Sequence, residues 1–164
     1  MLRSRRQRVQ TFQKTVPVSV GRAIGSAIGV GLTAQVANGV LSEQPDLFGK
    51  ALLLTALPGT QGIYGFLIGF LVIMKLGLIG TPTGVPFYKV ITVGQGWQMF
   101  ASCLPVAFAG LLSAIHQGRA CAAGVEMTAK QPDQAGKALV LAVFVEFYAV
   151  LGLLASILLI YRSW

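Results

Sequence analysis

The stretch ALVLAVFVEFYAVLGLLASILLIY, residues 138–161, decides the fold class, because it is 24 residues long and its only charged residue is Glu146. About 20 apolar residues in an α-helix cross the hydrocarbon core of a bilayer, so the stretch predicts a transmembrane helix. A carboxylate at membrane depth is energetically costly and marks a functional site by default. The alternative is a protonated acid that a crowded helix bundle tolerates.

The composition of the whole chain supports this interpretation. The chain has 164 residues, of which 54% are hydrophobic and 11% charged, and its mean hydropathy is +0.70. A chain with this composition is too apolar and has too few charged residues to be a soluble domain. Segments 23–41, 51–74, 90–115 and 138–161 are each long enough to span a bilayer, and they lack the alternation of a transmembrane β-barrel strand. We predict an all-α, multi-pass protein of the cell membrane with four transmembrane helices.

The chain repeats itself at an offset of 87 residues. The triplet S-A-I at 26–28 recurs at 113–115, and Q-P-D-x-x-G-K-A-L at 44–52 recurs at 131–139. The pattern indicates two tandem-duplicated helical hairpins in the same orientation, which arise when a self-assembling hairpin is fused to a copy of itself. We therefore expect a homo-oligomeric ring. The predicted divisions are a basic N-terminal segment (1–22), a first hairpin (23–76), a connecting loop (77–89) and a second hairpin (90–164).

The register of the repeat places Glu146 opposite Gly59, so only the second hairpin carries the acid. The first hairpin has L-P-G-T-Q-G-I-Y at 57–64, in which Pro58 removes one backbone hydrogen bond and bends the helix. Carbonyl, hydroxyl and amide oxygens are ligands for a small hard cation. Spacings of three and four residues put four such groups on one helical face: Leu57, Thr60, Gln61 and Tyr64.

Gln117 on the third helix adds a second amide. It precedes Glu146 by 29 residues, so the two stand at nearly equal depth if the second polar turn is centred near 130–133. Five oxygen atoms that can bind a cation can then converge at one level of the bundle. The alternatives are that Pro58 is only a kink, that Thr60 bonds back to its own helix, and that Gln117 joins helices. Tyr64 is better suited to hold Glu146 by a hydrogen bond than to bind an ion.

The net charge of +8 is a local feature, because six of the 13 basic residues lie in the first 22 positions. A polybasic segment beside a membrane helix favours anionic lipid. The distribution gives no reason to expect a nucleic-acid partner. These residues are Arg3, Arg5, Arg6, Arg8, Lys14 and Arg22.

From about Gly25 to the C-terminus, the chain resembles the rotor-ring proteolipids of V-type ATPases. The resemblance is to the duplicated c-type subunit, called K, of bacterial sodium-translocating complexes. L-P-G-T-Q-G-I-Y-G-F at 57–66 and the fourth helix with Glu146 carry it. The resemblance implies that Glu146 is the ion-carrying carboxylate and that a set of oxygens completes the cation shell: Leu57 through its main chain, Thr60, Gln61 and Gln117, with Tyr64 supporting Glu146.

The resemblance also implies a mechanism and partners. Copies form a ring in lipid, and a membrane stator subunit with an arginine and two half-channels unloads and reloads each site. Central-stalk subunits contact the polar turns, and ATP is hydrolysed in other subunits, so this chain is not itself an enzyme. The Thr60–Gln61 pair, which proton-carrying members generally lack, favours Na⁺ as the carried ion over H⁺.

The N-terminus departs from the family pattern. Residues 1–14 are polar and basic where family members have an apolar, small-residue stretch. An even number of spans puts this end opposite the polar turns, whereas the positive-inside tendency places the arginines in the cytoplasm. Either helix 1 starts near Val16, with Arg22 snorkelling or inside the ring, or the first twenty or so residues belong to an unusual or misassigned start.

Two functions from other classes remain as alternatives. A small proton-coupled secondary transporter would use Glu146 but does not account for the duplication. A purely structural four-helix membrane protein does not account for the polar residues that converge on Glu146. The size of the assembly separates both from a ring, since a ring is a large oligomer.

Overall fold

The computed structural model describes residues 2–76 and 92–162, with side chains from residue 23 onward. Every regular element in this part of the chain is helical, which confirms the all-α prediction. The predicted connecting loop, 77–89, lies outside the described residues. The helices are α1 (Leu2–Glu43), α2 (Phe48–Ala56), α3 (Thr60–Lys75), α4 (Val93–Lys130) and α5 (Ala135–Arg162).

Four helical segments in the described residues are long and apolar enough to cross a membrane, as the composition predicts. They are Ala23–Glu43, Pro45–Lys75, Val93–Lys130 and Pro132–Arg162. The third is longer than the predicted span, which ends at residue 115. Alanine, arginine, glutamate and methionine are good helix formers, so the more polar residues that follow continue α4 to Lys130. Its start is fixed by Thr92, whose hydroxyl accepts from the Gln95 amide N–H at 3.3 Å in a capping box.

The start of the first helix differs from the sequence-based expectation. A helix beginning near Val16 is one of two explanations for the basic N-terminus, but α1 runs unbroken from Leu2 to Glu43. Arginine, glutamine and lysine have high helix propensity, so a polar segment can continue a helix that an apolar segment nucleates. The apolar span within α1 still begins at Ala23.

The two polar turns have the same backbone path. Each is a 3₁₀ turn with proline in its first position, Pro45–Leu47 in the first hairpin and Pro132–Gln134 in the second. The residue before each turn is a glutamine in nearly the same conformation, with φ −132° and ψ 73° at Gln44 and φ −141° and ψ 82° at Gln131. The sequence repeat therefore corresponds to a structural repeat.

The long helix α4 packs along both α1 and α5, and α2 and α3 lie against α1 and α4. Glycines bring α1 and α4 together: a Cβ atom added to Gly118 would lie 2.5 Å from the Gly29 Cα. Such close contact between backbones is how membrane helices gain packing energy without a hydrophobic driving force. The junction of the two hairpins is therefore closely packed, and the candidate site lies in it.

Candidate functional site

The first hairpin contributes a break in its second membrane segment. Pro58 has no N–H to donate, and residues Leu57–Gly59 form a 3₁₀ turn between α2 and α3. Pro58 is buried, and its carbonyl accepts a hydrogen bond from the Ser26 hydroxyl of α1 at 2.8 Å. The position of the break is therefore fixed both by the burial of Pro58 and by the hydrogen bond from Ser26. In this turn the Leu57 carbonyl accepts the backbone N–H of Thr60 and also the Thr60 hydroxyl, which donates to it at 2.9 Å.

The second hairpin contributes Gln117 from α4 and Glu146 from α5. The Gln117 amide nitrogen donates to the Ala142 carbonyl at 3.2 Å and makes a longer contact of 3.5 Å to Glu146 Oε2. These two bonds hold the Gln117 side chain across the helix pair. Gln117 and Glu146 thus stand side by side, at the equal depth that the position of the polar turn predicts.

Hydrogen bonds across the hairpin junction join the two contributions. The Tyr64 hydroxyl of α3 donates to Glu146 Oε1 at 2.6 Å, and the Gln61 amide nitrogen donates to Gln117 Oε1. Both glutamines are fully buried, and Glu146 and Tyr64 are partly buried. A charge-assisted bond such as Tyr64 to Glu146 is about twice as strong as one between neutral groups. The carboxylate is therefore oriented by residues of both hairpins.

One hydrogen-bond acceptor in this network has no donor among the described residues. Gln61 Oε1 is buried and receives no hydrogen bond from the residues that the structure describes. A buried polar atom without a partner costs about 1 to 3 kcal/mol, and such atoms are rare in native proteins. Gln61 Oε1 can bind a cation but cannot donate a hydrogen bond. The orphaned oxygen therefore fits a site for a positively charged ligand.

The donor set fits a hard cation rather than a transition metal. No group of three or more His, Cys, Asp or Glu side chains lies together in the described residues. One carboxylate, amide oxygens, a hydroxyl and a main-chain carbonyl are the oxygen ligands that hard cations take. The Thr60 hydroxyl keeps two lone pairs when it donates to Leu57, so that hydrogen bond and ion binding are compatible.

The structure brings four of the six predicted site residues into one hydrogen-bonded network: Gln61, Tyr64, Gln117 and Glu146. Leu57 and Thr60 form a second pair, at the 3₁₀ turn that leads into the same face of α3. The bond from Thr60 to Leu57 is the local one that the sequence suggests as an alternative to ion binding.

Two contributors were not identified from sequence. Ser26 fixes the Pro58 turn, and the Ala142 carbonyl positions Gln117. The only signal for Ser26 was its recurrence as Ser113 in the repeat. A main-chain carbonyl on an unbroken helix such as that of Ala142 leaves no trace in the sequence.

Comparison with known proteins identifies relatives that cover most of the chain. Residues 18–72 and 100–159 match the family profile of the ATP synthase C subunit. One matched range lies in each hairpin, as a tandem duplication requires. V-type sodium ATPase subunit K of Enterococcus hirae is 44% identical over 140 residues, which are 85% of this chain and 83% of that protein.

Two further relatives carry different names. A-type ATP synthase subunit K of Methanocaldococcus jannaschii is 40% identical over 144 residues, 87% of this chain and 58% of that protein. The 16 kDa proteolipid of the V-type proton ATPase of Nephrops norvegicus is 27% identical over 137 residues, 84% of this chain and 80% of that protein. All three relatives are named as subunits of an ATPase or an ATP synthase.

Proposed function

The chain belongs to the family of ATP synthase C subunits, and from that premise we propose that it is the rotor subunit of a V-type ATPase that carries Na⁺ on Glu146. Copies of the chain form a ring in the membrane, and each copy holds one ion between its two hairpins. The proposed ligands are the Leu57 carbonyl, Thr60, Gln61, Gln117 and Glu146, with Tyr64 holding the carboxylate.

The observation that carries this proposal is the network around Glu146 and its unused acceptor. The Glu146 carboxylate is held by donors from both hairpins, while Gln61 Oε1 is buried without a hydrogen bond from the described residues. A carboxylate and an amide oxygen without a hydrogen bond, linked through Gln117 in one network, are both groups that bind a cation. A network that served solely to join helices would satisfy that oxygen with a donor.

Ion binding requires one exchange of partners. The Gln117 carbonyl oxygen accepts from the Gln61 amide nitrogen in the structure, so it is occupied. When Na⁺ enters, rotation of the Gln61 amide releases this bond and turns amide oxygens toward the ion. Two amide dipoles and the carboxylate then face one positive charge. The buried bond between the two glutamines is thus replaced by ion contacts.

Electrostatics explain why binding is coupled to rotation. An ionised carboxylate facing lipid is costly, whereas a carboxylate paired with a cation and surrounded by dipoles is close to neutral. Only a loaded site can therefore pass through lipid as the ring turns. A stator subunit with a membrane arginine would displace the ion, and central-stalk subunits at the polar turns would transmit torque. ATP hydrolysis belongs to other subunits.

Sodium rather than a proton is proposed for two reasons. A proton needs one basic oxygen, whereas this site assembles amide, hydroxyl and carbonyl oxygens that serve a metal ion. In addition, the sodium ATPase subunit is 44% identical to this chain and the proton ATPase proteolipid 27%.

The test is the rate at which a hydrophobic carbodiimide labels Glu146 in membranes at neutral pH, with and without sodium. The reagent attacks a protonated carboxyl, so bound Na⁺ protects it. We expect sodium to slow labelling and potassium at equal ionic strength to leave it unchanged. Glu126→Gln, at an exposed position of α4, is the matched control that keeps both labelling and protection. Glu146→Gln should abolish labelling.

The other outcomes separate the alternatives. Labelling that sodium does not affect indicates that the same ring carries H⁺ and that Thr60 and Gln61 serve packing. Labelling that is absent from the unmodified chain contradicts the assignment of Glu146.

A further inference from the structure

Helix α1 contributes none of the proposed sodium ligands, but one of its faces touches both halves of the site. Ser26, Gly29 and Thr33 follow one another at spacings of three and four residues, so they share one face of the helix. All three are buried. These three residues are called the α1 contact face below. Because they contact the backbone beside ligands of both hairpins, they can set the distance between those ligands.

Toward hairpin 1, the α1 contact face fixes the 3₁₀ turn that contains the Leu57 carbonyl. The Ser26 hydroxyl donates to the Pro58 carbonyl at 2.8 Å, and a Cβ atom added to Gly29 would lie 2.9 Å from the Pro58 Cβ. The first turn of α3 is also close, since a Cβ atom added to Gly62 would lie 3.2 Å from the Ser26 Oγ. Packing therefore prevents the turn from moving toward α1, and the hydrogen bond opposes movement away from it.

Toward hairpin 2, the same face fixes the backbone of α4 on both sides of Gln117. The Thr33 hydroxyl is fully buried and donates to the carbonyl of Gly118, the next residue, at 3.0 Å. It also lies 3.1 Å from the Gly29 carbonyl of its own helix. On the other side of Gln117, a Cβ atom added to Gly29 would clash with the Ala114 carbonyl oxygen. The position of Gln117 relative to α1 is therefore closely defined.

The equivalent face of α4 in the sequence repeat lacks these features. The counterparts of the α1 contact face are Ser113, His116 and Ala120. The Ser113 hydroxyl donates within its own helix, to the Gly110 carbonyl at 3.5 Å, while His116 is exposed and alanine has no hydroxyl. A feature that served only to pack the helices of a hairpin would be expected in both repeats. Of the two repeats, only the first has this arrangement, and it lies against the site.

We propose that Ser26 and Thr33 are positioning residues that determine the ion selectivity of the site, by holding the ligands of hairpin 1 at a fixed separation from Gln117. This role rests on the proposed function, because it concerns how the same site discriminates among cations. Selectivity among hard cations depends on the size and flexibility of the cavity as well as on the number of ligands. A fixed separation favours one ionic radius, that of Na⁺, whereas a flexible one adapts to a smaller ion such as Li⁺.

Protection of Glu146 from the hydrophobic carbodiimide, measured in membranes for sodium and for lithium, tests this role. Ser26→Ala and Thr33→Val each remove a hydroxyl from the α1 contact face and none of the proposed ligands. We expect the half-protecting sodium concentration to rise roughly 2- to 10-fold, which is what one neutral hydrogen bond contributes. The lithium concentration should change less, because the loosened shell can contract around the smaller ion. The ratio of the lithium to the sodium concentration should therefore fall.

Two further variants separate positioning from packing. Ser113→Ala removes a similarly buried hydroxyl from the repeat, but one that bonds within α4, so it should leave both concentrations unchanged. Thr33→Ser keeps the hydroxyl and loses only a methyl group, so it should retain the lithium-to-sodium ratio of the unmodified chain.

The ratio falls in Ser26→Ala and Thr33→Val, and stays constant in the two control variants, if the α1 contact face sets selectivity. Concentrations that do not change, that rise equally for both ions, or that shift as much in Ser113→Ala overturn the role but leave the sodium site intact. A ratio near one in the unmodified chain also overturns it, because there is then no size discrimination to maintain. If sodium does not protect Glu146 in the unmodified chain, the proposed function and the positioning role both fail.

Discussion

The two hairpins start from the same template and differ where the site lies. Both enter their second segment through the same proline-led 3₁₀ turn. In hairpin 1 the segment is then broken at Leu57–Gly59, whereas in hairpin 2 the helix α5 runs unbroken over Ala135–Arg162. At equivalent positions the first has Gly59 and the second Glu146.

This difference shows how duplication allows the two hairpins to contribute different groups to one site. In a continuous helix the interior carbonyls already accept helix hydrogen bonds, and hairpin 2 contributes a side-chain carboxylate from such a helix. Hairpin 1 is interrupted by proline and contributes neutral groups, namely the Leu57 carbonyl in its 3₁₀ turn and the polar side chains that follow. A single hairpin would have to do both in one helix. After duplication, each half is specialised for one contribution.

Glu146→Gln is the change with the largest expected effect. Glutamine retains the size of glutamate but not its charge, so Na⁺ is no longer neutralised and the loaded state is lost. We expect sodium uptake by vesicles that contain the complete complex to fall to background. Ring size by native mass spectrometry should be unchanged, because the site does not hold copies together. Uptake that survives this change would contradict the role of Glu146.

Gly59→Glu in the Glu146→Gln background exchanges the acid between hairpins. The introduced side chain would have space, since a Cβ atom at Gly59 comes no closer than 3.8 Å to Val30 Cγ2. Its carboxylate would nevertheless lie near Val30, an apolar residue that occupies the position equivalent to Gln117 in the repeat. We expect no recovery of sodium uptake. Recovery would mean that the two hairpins are still interchangeable and that they are not specialised for different contributions.

Much of the fold was predictable from the sequence because it depends on length, hydropathy and repetition. Four apolar segments and two closely similar polar turns give the helices and their order. The predicted third membrane span stopped at residue 115, whereas α4 continues to Lys130, because hydropathy alone does not stop a helix at its first polar residues. For the same reason α1 extends to Leu2, beyond the start near Val16 that was one of two explanations left open by the sequence.

The site was predictable to the extent that it depends on helical register. Equal depth follows from residue counts along helices, and these counts bring Gln117 beside Glu146. Contacts that depend on backbone carbonyls were not predictable, because every residue has one. The hydrogen bond from Gln117 to Ala142 and that from Ser26 to Pro58 are of this kind. The direction in which the Gln61 amide points was also not predictable from the sequence.

Gln61→Leu should weaken sodium binding without removing the charge. Leucine lacks the amide oxygen without a partner and the amide nitrogen that donates to Gln117. A hydrogen-bonding group that contacts a charge contributes about 1.5 to 3 kcal/mol. Its loss should therefore weaken the affinity for sodium roughly 10- to 100-fold. The measurement is the sodium concentration that half-protects Glu146 from carbodiimide. Tyr148→Leu, at the counterpart position in hairpin 2, is the control and should leave that concentration unchanged.

Tyr64→Phe should have a smaller effect of the same kind. It removes the hydroxyl that donates to Glu146 Oε1 at 2.6 Å but none of the proposed ion ligands. We expect roughly tenfold weaker sodium protection, because one charge-assisted bond no longer orients the carboxylate. Tyr161→Phe, at an exposed position near the end of α5, is the control. An equal loss in both variants would show that the tyrosine hydroxyl at position 64 has no specific role.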